Sequence, residues 1–265
     1  MTRWRWAVLL GAGIVLYAGA LGNGFVWDDL LTAVPGRPLG DVLSQRTGSY
    51  YRPLVMLSFA LDRMIWGAWP PGFHATNVLL HVAVAGLLAS FGSAVGLGAG
   101  ASLAAALVFL AHPVQTEAVT YISGRTDLLC ALFVLLGFLA WRRARGAFDA
   151  WALASGAAFV AALLCKEAAI LLPLALLIPG AHPAPAPPRP LVPMAAALIW
   201  ALAFAGTAAP ALGLADLPAR VPAIAKAALT YARLLLWPSD LHLERFTAVG
   251  LTPGAAVTLV TLALT

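Results

Sequence analysis

The sequence predicts an all-α polytopic membrane protein, and three observations lead there. Hydrophobic residues make up 62% of the 265 residues and charged ones only 10%, against roughly half and a quarter in soluble domains. Mean hydropathy is +0.89. The apolar residues fall in runs near the ~20 needed to cross a bilayer as a helix, and the charges sit at or near the ends of those runs. The net charge of +5 does not indicate nucleic acid, because the basic residues form no stripe and no aromatic interleaving accompanies them. They read as cationic loops.

Taken in order, residues 6–22 form the first span. Arg3 and Arg5 before an apolar core, and Ala18-Gly19-Ala20 after it, also have the look of a signal peptide. An uncleaved anchor is preferred, because the acidic pair that follows needs the membrane close by. Residues 52–66 are apolar with a helical pattern, yet hold Asp62 and Arg63 between Pro53 and Pro70-Pro71. This stretch reads as a helix lying in the outer interface, with Trp66 and Trp69 at headgroup depth. Further spans are expected at 74–92, 98–112, 127–141, 150–165, 168–180 and 191–209, with another candidate at 250–265. That makes about seven or eight in all, in a single domain over 1–265. Cys130 and Cys165 lie in apolar runs without metal spacing, and read as small buried hydrophobes.

Orientation follows from the basic loops. Arg3 and Arg5, the loop WRRARG with Arg142, Arg143 and Arg145, and the proline-rich AHPAPAPPRP are all placed in the cytoplasm when 52–66 is interfacial. The outer face then receives 23–73, the turn 112–126, the pair 166–167 and 210–249. Abundant Ala, Gly, Pro and Arg suit a GC-rich bacterial genome, so an inner membrane with a periplasmic site is expected.

The candidate site residues fall on that outer face. Asp28-Asp29 follow the first span. A carboxylate there suits a general base, an oxygen ligand for a divalent cation, or a helix N-cap. Arg52, before Pro53, could meet a phosphate or snorkel beside an aromatic belt. His74, Asn77 and His81 share one helix face. They suit interhelical hydrogen bonds, with His74 nearest the surface. The turn HPVQTEAVTYISGRTDLL brings together His112, Glu117, Tyr121, Arg125 and Asp127. Glu117 and Tyr121 stand at i, i+4, and Gly124 lets the chain turn. Ionisable groups this close to lipid are functional candidates, although Glu117, Arg125 and Asp127 could also neutralise one another. Lys166-Glu167 could form a local ion pair or offer a cation to phosphate.

Together, FVWDD, YYRPL, FHATNVLLH, HPVQTEAVTYISGRTDLL, LLCKE and YARLLLWPSDL resemble the membrane half of the transmembrane and tetratricopeptide repeat-containing proteins. These are similar to the protein O-mannosyltransferases of the GT-C glycosyltransferase superfamily. The resemblance runs from about Asn23 to Phe246. It implies a GT-C-like bundle that takes a sugar, mannose or a similar hexose, from a polyprenyl-phosphate carrier to an acceptor hydroxyl on a protein or glycan. By the same resemblance Asp28, or failing that Asp29, is the base. Arg52, Arg125 and Lys166 face the donor phosphate. His74, His112, Glu117, Tyr121, Asp127 and Glu167 line the sugar or acceptor side. No cofactor is expected; metal use varies across the superfamily, so a divalent cation stays open. No 34-residue repeat period is present, and the chain reads as truncated at its C-terminus. A transporter would place its ionisable groups near the midplane. A non-catalytic scaffold of the same fold is the third reading.

Overall fold

A computed structural model describes residues 2–33, 51–171, 176, 191–204, 217–239 and 241. It divides into two compact units, Met1–Ala208 and Ala209–Thr265. The described residues are helical and contain no strand, so the all-α membrane class holds.

In the first unit, α1 (Arg3–Tyr17) runs on as a 3-10 turn, Ala18–Gly22. A single turn, α2 (Asp29–Thr32), follows the acidic pair. Then come α3 (Pro53–Trp66), α4 (Pro70–Ala94) and α5 (Ala99–Ala111). After α5 the chain makes a 3-10 turn, the short α6 (Thr116–Thr120) and a second 3-10 turn, Ile122–Gly124, into α7 (Arg125–Trp141). The unit closes with α8 (Ala150–Leu163), the 3-10 turn Glu167–Leu171 and α9 (Leu191–Phe204).

The boundaries follow from local chemistry. Pro53 and Pro70 open α3 and α4, where a missing N–H costs nothing and φ is already helical. Gly67, at φ 64°, ends α3 and donates to the Arg63 carbonyl at 2.9 Å, a positive φ that glycine takes without strain. At the far end of α7, Asp149 caps α8 by accepting from Ala152 N at 2.8 Å, and accepts from Arg145 N at 2.6 Å. These backbone donors hold its carboxyl below the usual range.

Among the described residues, three helices are long and apolar enough to cross a membrane: Arg3–Gly22, Pro70–Ala94 and Ile122–Trp141. The pair Ala99–Ala111 and Pro113–Thr120, bent by 54°, makes a fourth if taken as one span. Ala150–Leu163 and Leu191–Trp200 are shorter apolar helices. All of these fall at the places of expected spans; three, or four with the bent pair, have the length and apolarity of a crossing. The expected spans at 168–180, beyond the turn to Leu171, and at 250–265 lie outside the described residues.

The long α4 is the axis of the unit, against which α1, α3, α5 and α7 pack. Close approach is achieved with small residues, as membrane helices require. Gly13 faces Val82, Gly86 lies under the Trp6 ring, and Gly137 faces Phe159. One apolar core joins α3, α4, α7 and α8 through Val55, Phe59, Phe73, Leu129, Cys130 and Leu163. Cys165 is buried in the same core, and both thiols are free, as read from the sequence.

In the second unit, α10 (Leu217–Leu236) is a 20-residue helix in the segment 210–249, which is expected at the outer face and carries the start of the motif YARLLLWPSDL. Val221, Ile224 and Leu235 lie on one side, Lys226, Thr230 and Arg233 on the other. That helical period is carried by widely spaced residues among many alanines.

Candidate active site

The site is organised by five consecutive residues, Ser123 to Asp127, where the 3-10 turn enters α7. Alternate side chains of this segment each hold a different element. Ser123 holds the acidic loop after α1, Arg125 ties α3 and α4 together inside the bundle, and Asp127 reaches the turn after α8.

Ser123 donates to Asp29 Oδ1 twice, from its backbone N at 2.8 Å and its hydroxyl at 2.6 Å. The other oxygen, Oδ2, accepts from Val26 N at 3.1 Å. Asp29 is fully buried, and Thr32 Oγ1 stands 3.0 Å from Ser123 Oγ in the same contact. Asp28, its neighbour, is exposed. The resemblance ranks Asp28 ahead of Asp29 as the base; the structure gives Asp29 to the fold and Asp28 to solvent.

Arg125 turns inward and is fully buried. Its Nη2 pairs with Asp62 Oδ2 at 2.5 Å and donates to Phe73 O at 3.0 Å. Its Nε donates to Asn77 Oδ1 at 2.7 Å, and its Nη1 reaches Ser58 O at 3.4 Å. The guanidinium also lies over the Phe59 ring, 4.7 Å from the centroid. Asp62 in turn accepts from Thr76 Oγ1 at 2.9 Å. The Asn77 amide donates to the carbonyls of Val119, Tyr121 and Ile122 at 3.2–3.3 Å. A buried charge this fully bonded fixes the positions of its neighbours. The expectation that Arg125 meets a donor phosphate therefore changes: its donors are committed to the interior, and it acts on the turn that carries it. Asp62 and Ser123 did not figure among the expected site residues. The signal for Asp62 was an acid on the apolar stretch 52–66, on α3's buried side.

Asp127, on the exposed side, pairs with Lys166 Nζ at 2.5 Å. Glu167 receives Arg52 in a forked contact, Nη2 to Oε1 at 2.8 Å and to Oε2 at 3.0 Å. Lys166 and Glu167 do not form a local pair; each bridges to another element. Likewise Glu117, Arg125 and Asp127 do not neutralise one another, since Arg125 takes Asp62 and Asp127 takes Lys166. Glu117 is exposed, within electrostatic reach of Asp127 and Lys166.

The remaining candidates spread out. Tyr121 does not share a helical face with Glu117, because α6 ends at Thr120 and Tyr121 is extended at φ −92°, ψ 121°. Its ring meets Trp27 edge-on at 6.3 Å. His112 Nδ1 accepts from Val114 N at 3.3 Å, capping the bend after α5. His74 is buried, within electrostatic reach of Asp29 and Arg125. His81 contacts the Leu110 carbonyl at 3.2 Å, the interhelical bonding read from its spacing. Among the described residues, no group of three or more His, Cys, Asp or Glu side chains is placed to hold a metal ion.

Gly124 serves close approach, not an unusual turn: its φ is an ordinary −61°. A Cβ there would stand 2.8 Å from Glu117 O and 2.9 Å from Ala118 Cα. Both are backbone atoms that cannot swing aside. Gly124→Ala is expected to destabilise by about 1–3 kcal/mol through overpacking, read as a lowered unfolding midpoint.

The Arg52–Glu167 pair makes the site pH-sensitive. Burial raises the Glu167 carboxyl, but the Arg52 hydrogen bonds and charge outweigh it and leave it below the usual glutamate range. A depressed carboxylate contributes stability above its unfolded pKa and loses it as pH falls through the folded one. The thermal midpoint of the wild type should therefore exceed that of Glu167→Gln at neutral pH. The gap should close as pH falls below about 4.

The fold and site define a polytopic helical membrane protein with its acids and bases gathered around one turn at a helix entrance. No family model and no solved structure matches the chain. Curated relatives do. It is 36% identical to Protein O-mannosyl-transferase TMTC4 of Homo sapiens over 205 aligned residues, 63% of this chain and 28% of that protein. It is 39% identical to Protein O-mannosyl-transferase Tmtc2 of Drosophila melanogaster over 184 residues, 59% of this chain and 19% of that one. Protein O-mannosyl-transferase TMTC2 of Homo sapiens matches at 38% over 180 residues, 58% and 21% respectively. The chain is similar to these TMTC proteins over about three fifths of its own length, in agreement with the resemblance carried by its motifs. It spans less than a third of the length of these relatives.

Proposed function

We propose that the chain is a glycosyltransferase that moves mannose or a similar hexose from a polyprenyl-phosphate carrier to an acceptor hydroxyl. The reaction takes place at the outer face of the membrane, in a bacterial inner membrane with the N-terminus in the cytoplasm. The acceptor is a protein or glycan. One observation carries this reading: adjacent aspartates with opposite surroundings, Asp29 buried and bonded by Ser123, Asp28 exposed beside it. Neighbouring carboxylates held in different environments divide their roles.

Asp28 takes the proton of the acceptor hydroxyl. The oxygen attacks the anomeric carbon, the bond from that carbon to the phosphate oxygen breaks, and its electron pair leaves with the lipid phosphate. One displacement inverts the sugar carbon. Arg52 and Lys166 stabilise the departing phosphate by exchanging their present partners, Glu167 and Asp127, for it. Both side chains keep partial solvent exposure, 24% and 31%, which such an exchange requires. Arg125 is a positioning residue: with Asp62 and Asn77 it fixes the turn from which Ser123 holds Asp29. Tyr121, Glu117, His74 and His112 belong to the sugar and acceptor side.

The test is transfer from polyprenyl-phosphate mannose to Ser/Thr peptides, with the protein reconstituted in lipid. A mannosylated peptide of inverted anomeric configuration is the expected product. No transfer from any polyprenyl-phosphate sugar, by this chain or by one extended toward the length of its relatives, contradicts the reading.

A further inference from the structure

We infer that Trp27 is a stacking platform for the hexose ring, set beside the candidate base. The inference rests on the transferase reading and adds the sugar contact. Its starting point is a backbone anomaly. Trp27 has φ 48°, the only positive φ at a non-glycine residue among those described. The left-handed region is costly for a bulky side chain and cheap for glycine.

The surrounding turn shows how the anomaly is held. Asp29 N donates to Val26 O at 2.9 Å, and Val26 N donates back to Asp29 Oδ2 at 3.1 Å. Ser123 fixes the same carboxylate from across the site. The turn Val26–Asp29 is thus closed twice, with Trp27 and Asp28 at its apex. The indole does not serve a core, since Trp27 is 62% exposed. Its ring contact is with Tyr121, edge-on at 75°, which steadies the indole and leaves a face open. A strained residue at an exposed apex, next to an exposed carboxylate, is strain kept at a working site.

The chemistry of the open face selects the ligand. A π face is electron-rich and receives weakly positive C–H groups, which the apolar face of a pyranose supplies. The attraction grows as positive charge develops at the anomeric carbon in an oxocarbenium-like transition state. Leu30 and Leu31 on the same loop are also exposed. That fits a loop touching the membrane surface, where Trp can act as a headgroup anchor. Anchoring accounts for exposure; it gives no reason to hold the indole in a left-handed turn beside a carboxylate.

The two roles separate in Trp27→Gly, a change that relieves the backbone and so keeps the protein folded. With full-length protein in lipid and polyprenyl-phosphate mannose as donor, Trp27→Gly should raise the donor KM roughly tenfold, the scale of one lost stacking contact. The acceptor-peptide KM and the unfolding midpoint should not worsen. Trp27→Phe should recover most of the loss. Donor binding, measured in the Asp28→Asn background to prevent turnover, should weaken by the same factor. Unchanged donor KM and binding in Trp27→Gly would overturn the platform and leave the anchor. If the wild type binds donor without transferring it, the transferase reading fails, and the ratio of donor affinities with and without the indole alone decides the platform. If the wild type binds no donor, the platform falls with it.

Discussion

Asp62→Ala is expected to cost the fold about 3–5 kcal/mol, the cost of removing one member of a buried ion pair. Arg125 is fully buried, and Asp62 is its ion-pair partner at 2.5 Å. Without that carboxylate the guanidinium keeps only neutral acceptors, Asn77 Oδ1 and the Phe73 and Ser58 carbonyls. Thr76 loses its acceptor too. Replacing both charges by apolar residues of similar volume, Asp62→Leu with Arg125→Met, should cost much less than the single change, since the desolvation of both ions disappears with them. Arg125→Lys should resemble the single loss, because one ammonium cannot span the acceptors that a planar fork reaches together. Denaturant unfolding in detergent checks all three. A loss below about 1 kcal/mol for Asp62→Ala, the scale of an exposed pair, would show that the network does not organise the turn.

That network marks where sequence reasoning ran out. The apolar runs gave the helices in place, because lipid demands ~20 apolar residues per span and that demand is written in composition. His81 and Asn77 were legible as interhelical bonds from their spacing. Arg125 was not legible as an interior residue. Its neighbours in sequence are polar, and the direction of its side chain depends on the rotation of α7 against α3 and α4, a tertiary property. Asp62 looked like a reason to keep α3 at the interface, while its carboxylate is turned into the bundle toward an arginine 63 residues later. For Gly124 the residue was recognised and the reason was not: its freedom is spatial, under the backbone of α6, and φ is ordinary there. The pairing of Arg52 with Glu167, and of Lys166 with Asp127, joins segments up to 115 residues apart, beyond what local charge patterning can supply.

The second large effect divides the acidic pair. Asp28→Asn is expected to lower the transfer rate by about 10²–10⁴-fold, the contribution of a positioned general base, with little loss of stability, because the Asp28 side chain is exposed and makes no hydrogen bond among the described residues. Asp29→Asn should act in the opposite order. An amide has one acceptor where Asp29 uses two, so its NH₂ must face either Val26 N–H or the Ser123 donors, a contact of donor against donor. Leaving buried donors unpaired costs about 1–3 kcal/mol. Transfer should then fall because the loop that presents Asp28 is no longer fixed. Ser123→Ala should repeat part of that loss. The double change should cost less than the sum of the two, since both act on one contact.

The most direct measurement is therefore a paired one on Asp28→Asn: initial rate of mannose transfer from polyprenyl-phosphate mannose, and unfolding midpoint, each beside the wild type in the same lipid. A wild-type midpoint with transfer reduced at least about a hundredfold is expected. Transfer at the wild-type rate from a folded Asp28→Asn protein would contradict it, and would remove Asp28 from the chemistry.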